Sequence, residues 1–306
     1  MTRTIAALCF SCLVGCTDPA FDAAAAAEPA PEPPVATAAA TVVAGSRAIY
    51  VGDSISVETS PVVQWIMAAS GVTYARSNVG GMAICDFFPQ TEAPGGPGTF
   101  RMFRDPVPPN LYDLVRFMQP QVVALQFWGN SWQFTPCMRD ANGEILGPGT
   151  PGYYAKYAHD ANRAMEIIRD AATSVGAPMP TVLWVLQGPD RGNPARTRIL
   201  NDSYAALGAT WPTARTVDAG REVSLAANYW NPGDRYAWSQ WLPCTQLERD
   251  GGQCNPAFGG VAQIHRDDDP LHFCLGTIVN DSCDTVSPGI TRYGLAIAAA
   301  INAALP

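Results

Sequence analysis

The stretch IYVGDSIS, residues 49–56, is a short apolar run that ends in Gly-Asp-Ser and then becomes polar. A run of this length, with aromatic and β-branched residues, predicts a buried strand. Two interpretations fit its abrupt end. Either the strand ends in an ordinary turn, or it delivers a nucleophilic serine to the rim of a sheet, and the rest of the chain has to distinguish them.

Apolar runs of similar length recur along the chain and alternate with segments of helical period. The other strand-like runs cover residues 72–79, 122–129, 181–188 and, more weakly, 213–220. The helical segments cover residues 61–70, 109–118, 152–175 and 194–208, and a last helix is predicted from Ser287, as its cap, and Pro288. This alternation predicts an α/β fold in which helices cover both faces of a mainly parallel five-stranded sheet.

Two stretches do not follow the alternation. Residues 84–100 and 229–260 are rich in glycine, proline and aromatic residues, and each contains cysteine. Both are predicted to be long loops that disulfides hold in place.

Composition limits the class of partner. The chain has 306 residues, 47% of them hydrophobic, which suffices for one substantial core. Its formal net charge is −8, and Lys156 is the only lysine. Binding to a phosphate backbone needs clustered cations, so nucleic acid is excluded as an expected partner.

The amino terminus has the pattern of an export signal. A basic start, MTR, precedes an apolar run that is too short to span a bilayer, and residues 1–15 are interpreted as a signal peptide. The sequence LVGC resembles the lipobox of bacterial lipoproteins, which implies a lipidated Cys16; a plain secretory signal cut a little later is the alternative. Residues 16–45 are an alanine- and proline-rich linker, and residues 46–306 form the folded domain. We therefore expect an extracytoplasmic protein whose only membrane contact is its lipid anchor, with a secreted protein as the alternative.

Six cysteines remain in the predicted domain, an even number that suits an oxidising compartment. Six cysteines allow fifteen pairings. Proximity in sequence favours Cys244 with Cys254 and Cys274 with Cys283, which leaves Cys85 for Cys137. A zinc site is the competing interpretation, but these six cysteines include no Cys-x-x-Cys pair, so neither a metal nor another cofactor is expected.

Three histidines are candidates for a general base. His159 lies in the middle of a predicted helix and is interpreted as solvated, and His265 lies in a charged turn. His272 follows Asp269 by three residues in DPLH, where a carboxylate can reach Nδ1 and leave Nε2 free to take a proton. Alone, an Asp-x-x-His pair is a weak signal.

Four blocks in order make a more specific signal than any one of them. GDSIS (52–56) follows the first strand, NVGGMAICD (78–86) the second and WGN (128–130) the third, and DPLH (269–272) lies near the carboxyl terminus. Together they resemble the SGNH hydrolase superfamily, or GDSL-type esterases, from about Ala48 onward. The resemblance implies a flavodoxin-like three-layer α/β/α sandwich.

The resemblance also implies a catalytic triad. Ser54 would be the nucleophile, His272 its base and Asp269 the residue that orients the imidazole. Asp53 would then be structural and tie the turn of the nucleophile. Serine needs such a base because its hydroxyl is a weak nucleophile.

An oxyanion hole is implied by the same blocks. The backbone N–H groups of Ser54 and Gly81 and the side-chain amide of Asn130 would donate to it, with Gly80 as the alternative to Gly81. Alone, Gly81 would indicate a plain turn and Asn130 a helix cap. The chain departs from the commoner Gly-x-Asn-Asp pattern because Ser131 replaces the aspartate.

The resulting hypothesis is a serine esterase that hydrolyses O-acyl esters, such as O-acetyl groups, of a glycan or a small molecule. The alternatives are an O-acyltransferase that modifies an envelope glycan and a glycan-binding lipoprotein without catalysis. Several tryptophans occur in the loops of the predicted site, where they either stack on sugars or fill the core beneath the loops. They are Trp128, Trp132, Trp230, Trp238 and Trp241.

Overall fold

The computed structural model describes residues 43, 45–89, 109–132, 135, 137–225, 236–280 and 282–306. The predicted signal peptide, Cys16, nearly all of the predicted linker and Trp230 lie outside these residues. Within the described ranges, no helix has the length and apolar character needed to cross a membrane.

Five parallel strands form one sheet in the order β2-β1-β3-β4-β5. The strands are Arg47–Gly52 (β1), Thr73–Asn78 (β2), Val122–Gln126 (β3), Thr181–Val185 (β4) and Ala214–Val217 (β5). The helices are Ser54–Ala69 (α1), Leu111–Met118 (α2), Pro151–Ser174 (α3), Pro194–Ala206 (α4), Gln246–Asp250 (α5) and Pro288–Ala304 (α6). All five predicted strands are confirmed, and each ends before the predicted residue.

Alternate side chains of the strands enter two separate cores. Ile49 and Val51 of β1 pack with apolar residues of α2, α3 and α4 on one face of the sheet. Ala48 and Tyr50 pack with residues of α1 and α6 on the other face. The predicted three-layer α/β/α sandwich is therefore confirmed, with β1 buried on both sides.

Helix α1 begins earlier than predicted. Its cap is Asp53, whose Oδ1 accepts a hydrogen bond from the backbone N–H of Ile55, and Pro61 lies inside the helix. The sequence-based start at residue 61 is wrong because the first turns of α1 bury polar residues, among them Ser56, Glu58 and Thr59, and so show no apolar period. The consequence for the site is that Ser54 is the first residue of a helix.

The segment 229–260, predicted to be a long loop, contains regular structure where it is described. Strand β6 (Trp241–Pro243) pairs antiparallel with β7 (Val261–Gln263), and α5 lies between them. Thr245 and Glu248 form a reciprocal capping box at the start of α5. The prediction failed because these elements are too short to show a period in sequence. Of the other predicted loop, the turn Ile84–Phe87 is a 3₁₀ helix, and residues 90–100 lie outside the described residues.

Ser287 precedes α6, as predicted, but its side chain does not cap the helix. Its Oγ instead accepts a hydrogen bond of 3.0 Å from the backbone N–H of Leu275. Ser287 is thus the N-cap residue by position, as predicted, but not through a side-chain hydrogen bond to the helix. Pro288 occupies the first turn, as predicted, and Ser287 links α6 to the segment that follows His272.

The three disulfides follow the predicted pairing: Cys85–Cys137, Cys244–Cys254 and Cys274–Cys283. The last of these closes the hairpin formed by β8 (Ile278–Val279) and β9 (Ser282–Cys283) onto the segment after His272. Disulfides of this kind are typical of proteins that fold in an oxidising compartment.

Candidate active site

The carboxyl end of β1 places Ser54 at the rim of the sheet. Gly52 ends the strand so close to β3 that a Cβ atom built on it would lie 2.2 Å from the carbonyl oxygen of Gln126. Only glycine fits this approach. Asp53 then turns the chain, and Ser54 starts α1.

The structure brings Ser54, His272 and Asp269 together although 218 residues separate the serine from the histidine. Ser54 Oγ lies 2.9 Å from His272 Nε2, and His272 Nδ1 lies 2.8 Å from Asp269 Oδ2. The other oxygen of Asp269, Oδ1, accepts hydrogen bonds from the backbone N–H groups of Leu271 and His272. The carboxylate thus fixes both the backbone turn and the ring of the histidine.

The electrostatics of the three groups favour proton transfer to the imidazole. The hydrogen bond to His272 holds the pKa of Asp269 well below its usual range. Burial lowers the pKa of His272, but the hydrogen bond to Asp269 and the charge of Glu58 outweigh burial, so the pKa of His272 is raised. The imidazolium form is therefore stabilised in this site.

Asp53 is fully buried and ties two loops together. Its Oδ2 accepts hydrogen bonds from the backbone N–H of Trp128 at 2.6 Å and from Asn130 Nδ2 at 3.1 Å. Burial raises the pKa of Asp53 to about 7 despite these donors. These contacts agree with the structural role that the sequence indicated.

Asn130 lies behind the serine turn, and its amide is engaged on both sides. Nδ2 lies 3.1 Å from Asp53 Oδ2 and 3.2 Å from the carbonyl oxygen of Met82, while Oδ1 accepts a hydrogen bond from Trp132 Nε1. An oxyanion would have to take over one of the two Nδ2 contacts. The role of Asn130 as an oxyanion donor stays a prediction.

Gly80 and Gly81 follow β2. A Cβ atom built on Gly80 would lie 3.7 Å from the Cβ of Ser54, and Gly80 lines the same cavity as the serine. Gly81 has a φ of 77°, which favours glycine. Both glycines thus lie at the turn where a backbone N–H donor is needed, and the choice between them stays a prediction.

A cavity of about 520 Å³ opens above Ser54, His272 and Asp269. Val57 of α1 and Val79 contribute apolar surface. Further wall residues come from the β8–β9 hairpin and the segment before it, and they are Cys274, Gly276, Thr277 and Ile278. The hairpin that the Cys274–Cys283 disulfide closes therefore forms one wall of the candidate site.

Three buried tyrosines, which the sequence analysis did not single out, hold the loop that carries Asn130. Their hydroxyls donate to backbone carbonyl oxygens of the loop: Tyr204 to Phe127, Tyr153 to Gly129 and Tyr157 to Asn130, at 2.9, 2.6 and 2.6 Å. The spacing of Tyr153 and Tyr157 on one helix face was the available signal. These contacts, with Ser131 Oγ donating to the carbonyl of Leu146, hold the loop without the aspartate that Ser131 replaces.

The other two histidines differ from each other. The side chain of His159 is 73% exposed, as predicted. His265 lies in the charged turn, as predicted, but it is buried because its ring packs against Trp238 and Phe273. Burial lowers the pKa of His265 to about 4.

The tryptophans of the region mostly contact protein groups. The guanidinium of Arg196 lies 3.6 Å from the ring centre of Trp128. Trp238 lies between Arg191 and His265 and donates from Nε1 to the carbonyl of Pro270. For Trp128 and Trp238, the structure therefore favours packing beneath the loops over stacking on sugars.

No known family model and no curated protein sequence matches the chain. Among solved structures, TesA is 16% identical, with a TM-score of 0.29 over 56% of this chain and 77% of that chain. The C-terminal catalytic domain of Streptococcus pneumoniae peptidoglycan O-acetyltransferase A is 12% identical, with a TM-score of 0.39 over 86% of this chain and 96% of that chain. The esterase EstA from Pseudoalteromonas sp. is 11% identical, with a TM-score of 0.30 over 56% of this chain and 75% of that chain. Similarities this low assign neither a family nor an activity, so the functional argument depends on the site itself.

Proposed function

We propose that this chain is an extracytoplasmic serine esterase of the SGNH type that hydrolyses O-acyl esters of a glycan or a small molecule. The observation that carries the proposal is the continuous hydrogen-bonded line from Ser54 Oγ through the ring of His272 to Asp269, at the base of an open cavity. A hydroxyl that only shaped a turn would not need a half-buried imidazole aligned by a carboxylate.

In the first step, Ser54 Oγ attacks the acyl carbon and His272 Nε2 takes its proton. Asp269 stays ionised and stabilises the imidazolium through Nδ1–H. The negative charge that develops on the acyl oxygen receives hydrogen bonds from the N–H groups of Ser54 and Gly81, or Gly80, and from Asn130 Nδ2. Donors placed in this way are each worth roughly 10²–10³ in rate.

In the second step, His272 gives its proton to the departing alcohol, and the acyl group remains on Ser54. Water then enters, His272 removes a proton from it, and the hydroxide attacks the acyl carbon. Collapse of the second tetrahedral intermediate releases the acid and returns the proton to Ser54. Every proton in the cycle passes through Nε2 of one ring.

The place of action follows from the amino terminus and the cysteines. We propose that residues 1–15 are removed on export, that Cys16 carries the lipid and that residues 16–45 connect it to the domain. The three disulfides support folding outside the cytoplasm.

The test is turnover of p-nitrophenyl acetate and p-nitrophenyl butyrate by the wild type and by Ser54→Ala. We expect Ser54→Ala to lose at least about 10³ in kcat, because the acyl-enzyme cannot form. Ser174→Ala is the matched control, since Ser174 lies at the carboxyl end of α3 and its Oγ donates to the carbonyl of Ala171. Equal rates for the wild type and Ser54→Ala would contradict the proposal, and an oligosaccharide added to the assay distinguishes hydrolysis from transfer.

A further inference from the structure

Glu58 is a buried carboxylate that the mechanism above does not use. It lies four residues after Ser54 on α1, so both side chains point to the same side of the helix. Glu58 lines the catalytic cavity, yet it is only 3% exposed. A carboxylate in such a place has a high desolvation cost unless other groups compensate for it.

The compensation comes from the loop of the catalytic histidine. Oε2 of Glu58 accepts a hydrogen bond of 2.8 Å from the backbone N–H of Phe273, the residue after His272, and the N–H of Cys274 also faces the carboxylate. This contact joins α1, which carries the nucleophile, to the segment that carries its base. Phe273 is itself fixed between His265 and Tyr293.

Glu58 has no cationic side chain as a partner in the part of the chain that the structure describes. Two other buried carboxylates differ in this respect, since Glu248 pairs with Arg292 and Asp160 with Lys156. Glu58 instead interacts with the positive charge that appears on His272 when the ring takes the proton of Ser54. Burial raises the pKa of Glu58, and the charge of His272 and the N–H groups of Phe273 and Cys274 act against this rise. The ionised form of Glu58 is thus favoured most when His272 carries its positive charge, and a negative charge there stabilises the charge separation of the transition state.

We propose that Glu58 is a positioning residue for His272: it anchors the loop of the histidine through Phe273 and faces the imidazolium with a negative charge. The inference rests on the proposed esterase function. Acyl transfer would then use two carboxylates around one ring. Asp269 accepts a direct hydrogen bond from Nδ1, whereas Glu58 acts through its electrostatic attraction for the imidazolium and through its hydrogen bond to the backbone of Phe273. The raised pKa of His272, to which Glu58 contributes, supports this assignment.

Other charged groups around the His272 ring also affect its pKa. Asp53 from the serine turn and Asp269 favour the charged form of His272, and His265 disfavours protonation of both rings together. Arg266 lies 3.9 Å from Asp269 and pairs with Asp268. None of these groups changes in a Glu58 variant, so a shift between wild type and variant reports on Glu58.

The experiment is an NMR titration of the histidine rings in the wild type, Glu58→Gln and Glu58→Asp, with His272→Gln used to assign the signal. We expect Glu58→Gln to lower the titration midpoint of His272 by about one pH unit, because a negative charge is removed from its surroundings. Glu58→Asp keeps the charge, and its midpoint stays near that of the wild type. Glu144→Gln, at an exposed glutamate, is the matched control and shifts nothing.

Kinetics give a second readout. In Glu58→Gln the acidic limb of the kcat/KM profile moves to lower pH with the midpoint, and kcat falls about tenfold while KM changes little. An unchanged midpoint in Glu58→Gln, or equal midpoint shifts in Glu58→Gln and Glu58→Asp, would overturn the proposal. The titration needs no turnover, so it remains readable even if the wild type and Ser54→Ala hydrolyse esters at equal rates and the esterase proposal fails.

Discussion

Asp269 controls the direction of the His272 ring through contacts made within four residues. One oxygen accepts two backbone N–H groups and the other faces Nδ1, so the turn and the ring are fixed by one side chain. The sequence indicated this pairing because the Asp-x-x-His spacing is local. It could not indicate Glu58, whose contact with Phe273 joins residues 215 positions apart.

His265 shows a different limit of sequence reasoning. Its neighbours in sequence are charged, which predicts exposure, whereas its neighbours in space are Trp238 and Phe273. Burial lowers the pKa of the ring, and among the described residues its polar contact is from Nδ1 to the carbonyl oxygen of His272. The titration of His265 is therefore linked to the stability of the segment that carries the base.

We predict that His265 makes the domain sensitive to acid. Its pKa is about 4 in the folded protein and near 6.5 in the unfolded chain, so the unfolded state binds the proton first as the pH falls. The free energy of unfolding therefore falls between pH 6.5 and 4, by about 3 kcal/mol in all. This follows because each unit of difference in pKa corresponds to roughly 1.4 kcal/mol. Urea unfolding of the wild type and His265→Asn between pH 4.5 and 7 measures the difference.

The control for this prediction is internal. Burial raises the pKa values of Asp53 and Asp86 to about 7, which makes the fold gain stability as the pH falls, but it does so equally in both proteins. Only the difference between the two curves reports on His265. Parallel curves for the wild type and His265→Asn would show that the ring does not titrate in this way.

Strands β1, β3 and β4 were predictable from sequence because each is a near-continuous apolar run buried on both faces, whereas the edge strands β2 and β5 carry polar, partly exposed residues. The carboxyl ends of the strands were not predictable, since the apolar residues continue into loops that are also buried, such as Phe127 after β3 and Leu186 after β4. The start of α1 was missed because its first turns bury polar residues and so show no apolar period. Short elements such as β6 and α5 depend on tertiary contacts and disulfides, which leave no periodic pattern.

Helices α3 and α4 do more than cover the sheet, because their tyrosines support the loop of Asn130. The hydroxyls of Tyr153 and Tyr157 are one turn apart on α3 and reach consecutive residues of the loop. Aromatic side chains with a terminal hydroxyl fill the core and satisfy loop carbonyls at the same time. The candidate oxyanion donor is thus held by rigid helices.

We predict that Tyr157→Phe lowers activity more than its modest structural change suggests. The carbonyl of Asn130 loses its buried donor, which costs about 1–2 kcal/mol of stability. Movement of the loop should reduce kcat on p-nitrophenyl acetate roughly tenfold with little change in KM. Tyr154→Phe is the matched control, since the Tyr154 hydroxyl makes no hydrogen bond among the described residues. Equal kcat values for the two variants would argue against support of the site by Tyr157.

The direction of the parallel strands determines which end of the domain carries the candidate site. The chain enters β1 from the segment of Val43, whose backbone N–H bonds to the carbonyl of Pro306, and it leaves β1 at Ser54. Six strand residues span about 20 Å. Val43 and Pro306 therefore meet at the amino ends of the strands, and the candidate active site lies at their carboxyl ends.

We predict that Cys16→Ser releases the protein from the membrane fraction without loss of ester turnover. The lipid would be the only membrane contact, and the domain holds its site far from the point where the amino-terminal chain attaches. Fractionation of cells that produce the wild type, Cys16→Ser and Cys12→Ser measures retention, and Cys12→Ser controls for loss of a cysteine inside the predicted signal. A Cys16→Ser protein that stays with the membrane would contradict lipidation at this residue.

The meeting of Val43 and Pro306 at the amino ends of the strands has a consequence for attachment to the domain. A tag or fusion partner joined at Pro306 would be joined about one strand length from Ser54, away from the mouth of the cavity. Additions at this position should therefore be tolerated without loss of access to the candidate site.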